Sequence, residues 1–158
     1  MQLPVEAKLK EKGIVYRLIP LTANAYTVAD VVKFAQSNID PNEICKTIVL
    51  CGKKSGAQQA VFLRGTDKLD FGKLKRLFGE EMAIATAEQV KESAGVEPGA
   101  VCPFLLTVPL SVDQRVLELD RVNCGSGHHL FGLEFQRADL ARGADYTAID
   151  ASKTQLST

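Results

Sequence analysis

Ile44-Cys-Lys-Thr-Ile-Val-Leu-Cys51 runs into Gly52-Lys-Lys-Ser-Gly56 and, after Ala57-Gln58, into Gln59-Ala-Val-Phe-Leu-Arg64. Both long runs are β-branched and apolar, and the stretch between them carries the glycines of a turn. This is the pattern of two antiparallel strands joined by a hairpin. Elsewhere helical and strand patterns alternate, which by itself suggests parallel pairing. One hairpin inside such a chain makes the sheet mixed. The expected class is therefore α/β: a compact mixed sheet with flanking helices.

Working outward, Glu6 to Lys12 reads as a short charged helix stopped by Gly13, and Ile14 to Ile19 as a strand ended by Pro20. Thr27 caps a predicted helix from Val28 to Gln36, which Asp40-Pro41-Asn42 closes off. Asp70 caps a helix to Leu77 or Phe78 before Gly79, and Met82 to Ala85 is a short strand. Thr86 with Gln89 three residues on has capping-box spacing for a helix to Ser93. Leu105–Val108, Val116–Leu119, Leu130–Phe135 and Tyr146–Ile149 are read as strands, and Ala138–Ala141 as a short helix. Residues 1–150 form one expected domain, and 151–158 a frayed tail.

The chain of 158 residues is 46% apolar and 24% charged, with no formal net charge. Such a chain buries its own core. Zero net charge argues against a protein that coats nucleic acid through a uniform basic surface, such as a general DNA binder. The start has no signal-peptide pattern and no stretch is apolar for the length of a bilayer, so the expected location is the cytoplasm. Cys45, Cys51, Cys102 and Cys124 contain no Cys-x-x-Cys pair. Reduced thiols and no metal site are expected.

No phosphate loop, dinucleotide fingerprint or nucleophile elbow is present. His128 and His129 are adjacent, so on a strand they would face opposite sides. What remains is Lys46 and two glycine loops. Lys46 lies two residues from Ile44 and from Ile48 on one strand face. It either lines a cavity or points to solvent, since a buried lone cation is costly. Gly95–Pro103 holds two glycines and two prolines, and Gly125-Ser126-Gly127 follows later; each is either a ligand-approaching loop or a connector. A glycine at 99 offers either a positive φ or room for close approach of the backbone to a ligand.

The order of Glu43-Ile-Cys-Lys46-Thr47, Ser93-Ala-Gly95-Val-Glu-Pro-Gly99-Ala-Val-Cys-Pro103 and Asn123-Cys-Gly-Ser-Gly-His-His resembles the YbaK/EbsC family. That domain occurs free-standing and as the editing insertion of bacterial-type prolyl-tRNA synthetases. The resemblance runs from about Ile14 to Ile149. It implies a partly barrel-like mixed sheet and hydrolysis of the ester between an amino acid and the tRNA 3′ end. It places the family's lysine on Lys46 and the glycine of its Gly-x-x-x-Pro loop on Gly99, the catalytic pair, and by setting Gly99 against the aminoacyl ester it implies close approach rather than a positive φ as the reason for that glycine. Substrate binding falls to Thr47, Gly95, Ala100, Pro103, Gly125, Ser126, Gly127, His128 and His129. The departures are Cys102 where Ser or Thr is common, the histidine pair where one subgroup has basic residues, and Thr47 where some alanine-specific members have Asn. Tyr26 and Thr27 compete for an aromatic pocket position. These leave the amino acid open.

The expectation is a trans-editing deacylase of mischarged tRNA that needs no cofactor, with an aminoacyl-tRNA synthetase as a second partner and no membrane. Two rivals stand beside it. One is a non-catalytic module of the same fold that holds tRNA or a synthetase. The other is a small-molecule hydrolase using Cys102, which lacks an assignable base.

Overall fold

The computed structural model describes residues 2–25, 27–35 and 38–154. Helix α1, Pro4–Glu11, starts at a proline, and the Glu6 carboxylate accepts the Leu3 N–H at 2.6 Å and the Tyr16 hydroxyl at 2.8 Å. That second bond ties α1 to β1, Tyr16–Pro20. Helix α2, Val28–Phe34, is capped by the Thr27 hydroxyl, which accepts from Asp30 N at 3.1 Å. The expected hairpin is β2, Cys45–Gly52, against β3, Gln58–Arg64, with Lys46 opposite Leu63. Helix α3, Phe71–Phe78, has the Asp70 cap and the left-handed Gly79 that the sequence indicated. Strand β4, Met82–Ile84, pairs with β2, and α4, Ala87–Ala94, carries the Thr86/Gln89 capping box.

The second half departs further from the sequence reading. Leu105–Val108 is not a strand: Leu105 N bonds back to Cys102 O at 3.1 Å and Thr107 N to Ser93 O at 2.9 Å. Its apolar side chains pack on the core from a turn instead. The strand comes after Pro109, as β5, Leu110–Asp113, all four residues of which are buried. Val116–Glu118 is a short 3-10 turn whose Val116 anchors it in the core. Then come β6, Arg121–Gly125, β7, Phe131–Gln136, the one-turn helix α5, Leu140–Gly143, and β8, Thr147–Ile149.

The strands form two sheets rather than one. The first is antiparallel, in the order β1-β7-β6; the second is mixed, in the order β4-β2-β3-β5-β8, with β3, β5 and β8 parallel. A single parallel bridge, Ile44 to Asn123, joins β2 to β6. The mixed α/β class stands, and neither sheet closes into a barrel. The largest apolar cluster lies under α1 and α5 around Phe62, Phe104 and Leu133. A second, around Leu50 and Leu74, is covered by α3. A third, around Val49, Val90 and Val101, lies under α4.

The segment expected to fray is held in its first residues. Ala151 and Ser152 are fully buried, Ala151 O accepts from Asp70 N, and Lys153 N donates to Lys68 O, both at 2.8 Å. Residues 155–158 lie outside the described residues, as do Tyr26 and Gln36, on which the aromatic-pocket and helix-end expectations fell. No helix among the described residues is long and apolar enough to cross a membrane.

Candidate functional site

Where the two sheets part beyond the Ile44–Asn123 bridge, a cavity of about 610 Å3 opens between β2, α2, the 98–101 loop and the turn after β6. That volume lies in the usual range for a ligand site. Its wall is mostly aliphatic, with Val28, Val31, Ile44, Ile48 and Val101 among the lining residues. No aspartate or glutamate is part of it among the described residues.

Lys46 is in this wall, half-buried. Its ammonium donates to the backbone carbonyls of Gly65, at 3.2 Å, and Asp67, at 3.0 Å. An ammonium has three donors, so one is left over. No carboxylate forms a salt bridge with it among the described residues, and burial pushes its pKa below the ordinary lysine value. The negative charge of Asp67 opposes that shift, and Lys68 adds to it. The two accepting carbonyls are themselves fixed. Gly65 N donates to Ile44 O at 2.7 Å, and Arg64 grips the buried Asp67 carboxylate with two bonds of 2.7 and 3.1 Å. A side chain at Gly65 would overlap Val28, so the glycine there lets α2 close over the strand.

The two glycine loops meet. Gly127 N donates to Ala100 O at 2.8 Å, and a Cβ on Gly125 would overlap the Val101 carbonyl and fall 3.0 Å from Ala100 O. Close backbone approach is therefore the requirement at Gly125. Gly99 borders the cavity with φ +96°, a left-handed conformation, so the expectation that it needs only space is corrected: its backbone angle already asks for glycine.

The remaining site residues divide. Ala100, Gly125, His128 and His129 border the cavity together with Lys46, Thr47 and Gly99. Strand alternation turns the Thr47 side chain away from Lys46, toward the side of Cys45 and Val49, and its buried hydroxyl has no partner among the described residues. Gly95 is not in the wall; it is the left-handed cap that ends α4. Pro103 faces a separate cavity of about 270 Å3 beside Lys8 and Arg142. Ser126 is buried and holds the turn, its hydroxyl donating to Phe131 O at 2.6 Å and accepting from His128 N at 3.1 Å. Gly127 also lies behind the wall, against Leu105. The histidines do not face opposite sides. They sit in a turn rather than a strand, and their rings stack at 4.9 Å and 17°.

One residue that sequence reasoning passed over belongs here. Asn123 is 3% exposed, lines the cavity, and neither atom of its amide has a hydrogen-bond partner among the described residues. Leaving a buried amide unpaired costs about 1–3 kcal/mol. Its bridge to Ile44 puts its side chain on the Ile44 and Lys46 face of the sheet. Gly65 and Asp67 were missed as well. Their signal was a glycine directly after an apolar strand, lying between an Arg and an Asp three residues apart.

Burial keeps the thiols near the site protonated. Burial pushes Cys45 and Cys102 up to about 12, and Cys124 well above its ordinary value. Among the described residues no group of three or more His, Cys, Asp or Glu side chains is arranged to hold a metal ion.

Comparison with known proteins gives a consistent picture. The model of the aminoacyl-tRNA editing domain family matches residues 22–142. Among solved structures, the hypothetical protein APE2540 superimposes with a TM-score of 0.83 at 28% identity, over 94% of this chain and 99% of that one. A candidate trans-editing enzyme for prolyl-tRNA synthetase superimposes with a TM-score of 0.82 at 23% identity, over 98% of this chain and 100% of that one.

Proposed function

This chain belongs to the aminoacyl-tRNA editing domain family, and from that premise we propose that it is a trans-editing hydrolase that removes the wrong amino acid from tRNA. The observation that carries the proposal is the Lys46 ammonium, fixed by two backbone carbonyls in the wall of an apolar cavity with one donor left over. An aminoacyl ester is already activated, so the protein needs no strong nucleophile. It needs to hold the ester, place a water and stabilise the oxyanion that forms.

In the proposed reaction the tRNA 3′ end enters the cavity with its aminoacyl group between Lys46 and the Gly99–Val101 backbone. Water adds to the ester carbonyl carbon, giving up a proton to the neighbouring hydroxyl of the terminal ribose. The carbonyl oxygen becomes an oxyanion, which the free donor of Lys46 stabilises. The bond between the carbonyl carbon and the ribose oxygen then breaks, and the ribose oxygen leaves with the proton that the neighbouring hydroxyl relays to it. No thiolate, metal or organic cofactor takes part. The aliphatic wall selects by size and polarity, as an editing sieve does. His128 and His129 border the entering 3′ end, the tRNA is the partner, an aminoacyl-tRNA synthetase is a second one, and the cytoplasm is the setting.

A panel of mischarged tRNAs incubated with the purified protein alone, in excess chelator, tests this. At least one member of the panel should lose its amino acid faster than in buffer. A panel untouched at high protein concentration, or activity that returns only with added zinc, contradicts it.

A further inference from the structure

Asn123 has the features of a group waiting for a ligand. Its amide is buried and has no partner among the described residues, and it projects into the same cavity as Lys46. The carboxylate nearest in register is Glu134, directly opposite on β7, but Arg17 takes both its oxygens at 3.2 and 3.0 Å, and Arg121 approaches it at 3.9 Å. No carboxylate lines the cavity among the described residues. An aminoacyl ester brings an α-amino group, which donates hydrogen bonds whether or not it is protonated, and that group needs an acceptor. Lys46 offers none. The Thr27 hydroxyl already accepts from Asp30 N, and His128 Nδ1 accepts from Leu130 N at 3.1 Å; Thr47 also borders the cavity, but strand alternation sets its hydroxyl on the Cys45 and Val49 side of β2 rather than on the Lys46 side.

We propose that the Asn123 side-chain carbonyl, unpartnered and on the Lys46 face of the cavity, accepts a hydrogen bond from the free α-amino group of the aminoacyl substrate and so distinguishes it from an N-blocked one. This rests on the deacylase reading of the site. To the wall's choice by side-chain size it adds a choice made at the amino group: a free aminoacyl group is taken, and an acylated or peptidyl one, which has lost the donor as well as gained bulk, is refused. The amide N–H2 of the same side chain is left to face the ester oxygen.

The test uses acceptor-stem microhelices carrying alanine or valine through a non-hydrolysable 3′-amide, each with a free or an acetylated α-amino group. The wild-type protein should bind the free form at least about tenfold more tightly than the acetylated form. Asn123→Ala should lose that preference, chiefly by weaker binding of the free form. Asn123→Asp, which keeps an acceptor at the same place, should retain it. Melting temperatures control for folding, and Asn123→Ala should melt no lower than wild type because it removes an unpaired buried amide. An undiminished preference in Asn123→Ala, or equal binding of both forms by wild type, overturns the inference and leaves the deacylase reading standing. No binding of either free form by wild type also overturns the inference, and the panel of mischarged tRNAs decides the deacylase reading separately.

Discussion

Two lysines in this molecule are removed from solvent on most sides, and their surroundings are opposites. Lys73, on α3, spends its ammonium on both oxygens of Asp150, at 2.9 and 3.0 Å, and on Ser152 O at 2.7 Å. Lys73 first and Arg115 second hold the Asp150 carboxyl below its ordinary range. Around that knot Asp113 accepts the Ala151 N–H at 2.8 Å, so the chain after β8 is fixed to the body. Lys46, on β2, has only neutral carbonyls, a spare donor and an apolar cavity, and burial pushes its pKa down. A cation whose donors are all met by a carboxylate and the chain is there to hold structure. One left partly satisfied beside a cavity keeps its interaction for a visitor.

The sharpest way to break that contrast is to truncate each lysine. Lys46→Ala should lower deacylation by at least about tenfold, on the order of 1.4 kcal/mol of transition-state stabilisation or more, with little change in melting temperature. Lys73→Ala should do the reverse. It should cost about 1–2 kcal/mol of stability, a modest figure because Asp150 is half in solvent, and lower the melting temperature by several degrees. Turnover per folded molecule should persist. Thermal melts and kinetics on the same preparations check the crossed pattern; parallel losses in both variants would dissolve the distinction.

Next in size come the loop glycines that shape the wall opposite Lys46. Gly125→Ala forces the Val101 carbonyl to move, so turnover and melting temperature should fall together. Gly99→Ala places a side chain at φ +96° and should lose about 1–2 kcal/mol of stability along with activity. Equal melting of wild type and Gly125→Ala would show that the two loops are not in contact.

Asp67→Asn has a smaller effect with a distinctive signature. The Asp67 charge raises the Lys46 pKa against burial and against Lys68, while Arg64 faces Asp67 from the other side. Without that charge the Lys46 pKa falls further. The ammonium is then lost at a lower pH as pH rises, so the basic limb of kcat/KM should move down, measured after subtracting spontaneous ester hydrolysis. A limb that stays or moves up would show that Asp67 acts only through packing. The smallest change is expected from Cys102→Ala. A buried thiol pushed up to about 12 is no nucleophile, and turnover should stay within about twofold of wild type. Complete inactivation of a folded Cys102→Ala protein would revive the thiol mechanism.

Much of the fold was legible because its signals are local. The Thr86/Gln89 capping box, the Asp70 cap with Gly79, and the β2–β3 turn each announce themselves within a few residues. Long-range pairing was not. Leu110–Asp113 is buried between β3 and β8, whereas the more apolar Leu105–Val108 sits between Pro103 and Pro109 and packs from a turn. Composition alone cannot separate these two. The site follows the same rule. Lys46 stood out as a cation inside an apolar strand. Asn123 did not, because nothing in Arg121-Val-Asn-Cys124 reveals that Ile44 is its neighbour. Nor does any sequence spacing show that Arg64 and Asp67 hold the two carbonyls that fix Lys46. Gly95 and Pro103 illustrate the converse: both lie in the right loop, yet one ends a helix and the other faces away from the cavity.

The role proposed for Lys46 is catalysis and not merely binding. It is tested most directly by measuring, on a mischarged tRNA that the wild-type protein deacylates, both the single-turnover rate and the tRNA affinity of wild type and Lys46→Ala. Lys46→Ala should still bind the tRNA and lose at least about tenfold in the single-turnover rate. A folded Lys46→Ala protein that deacylates at the wild-type rate, or a wild-type protein that binds every mischarged tRNA and releases no amino acid from any, would contradict it.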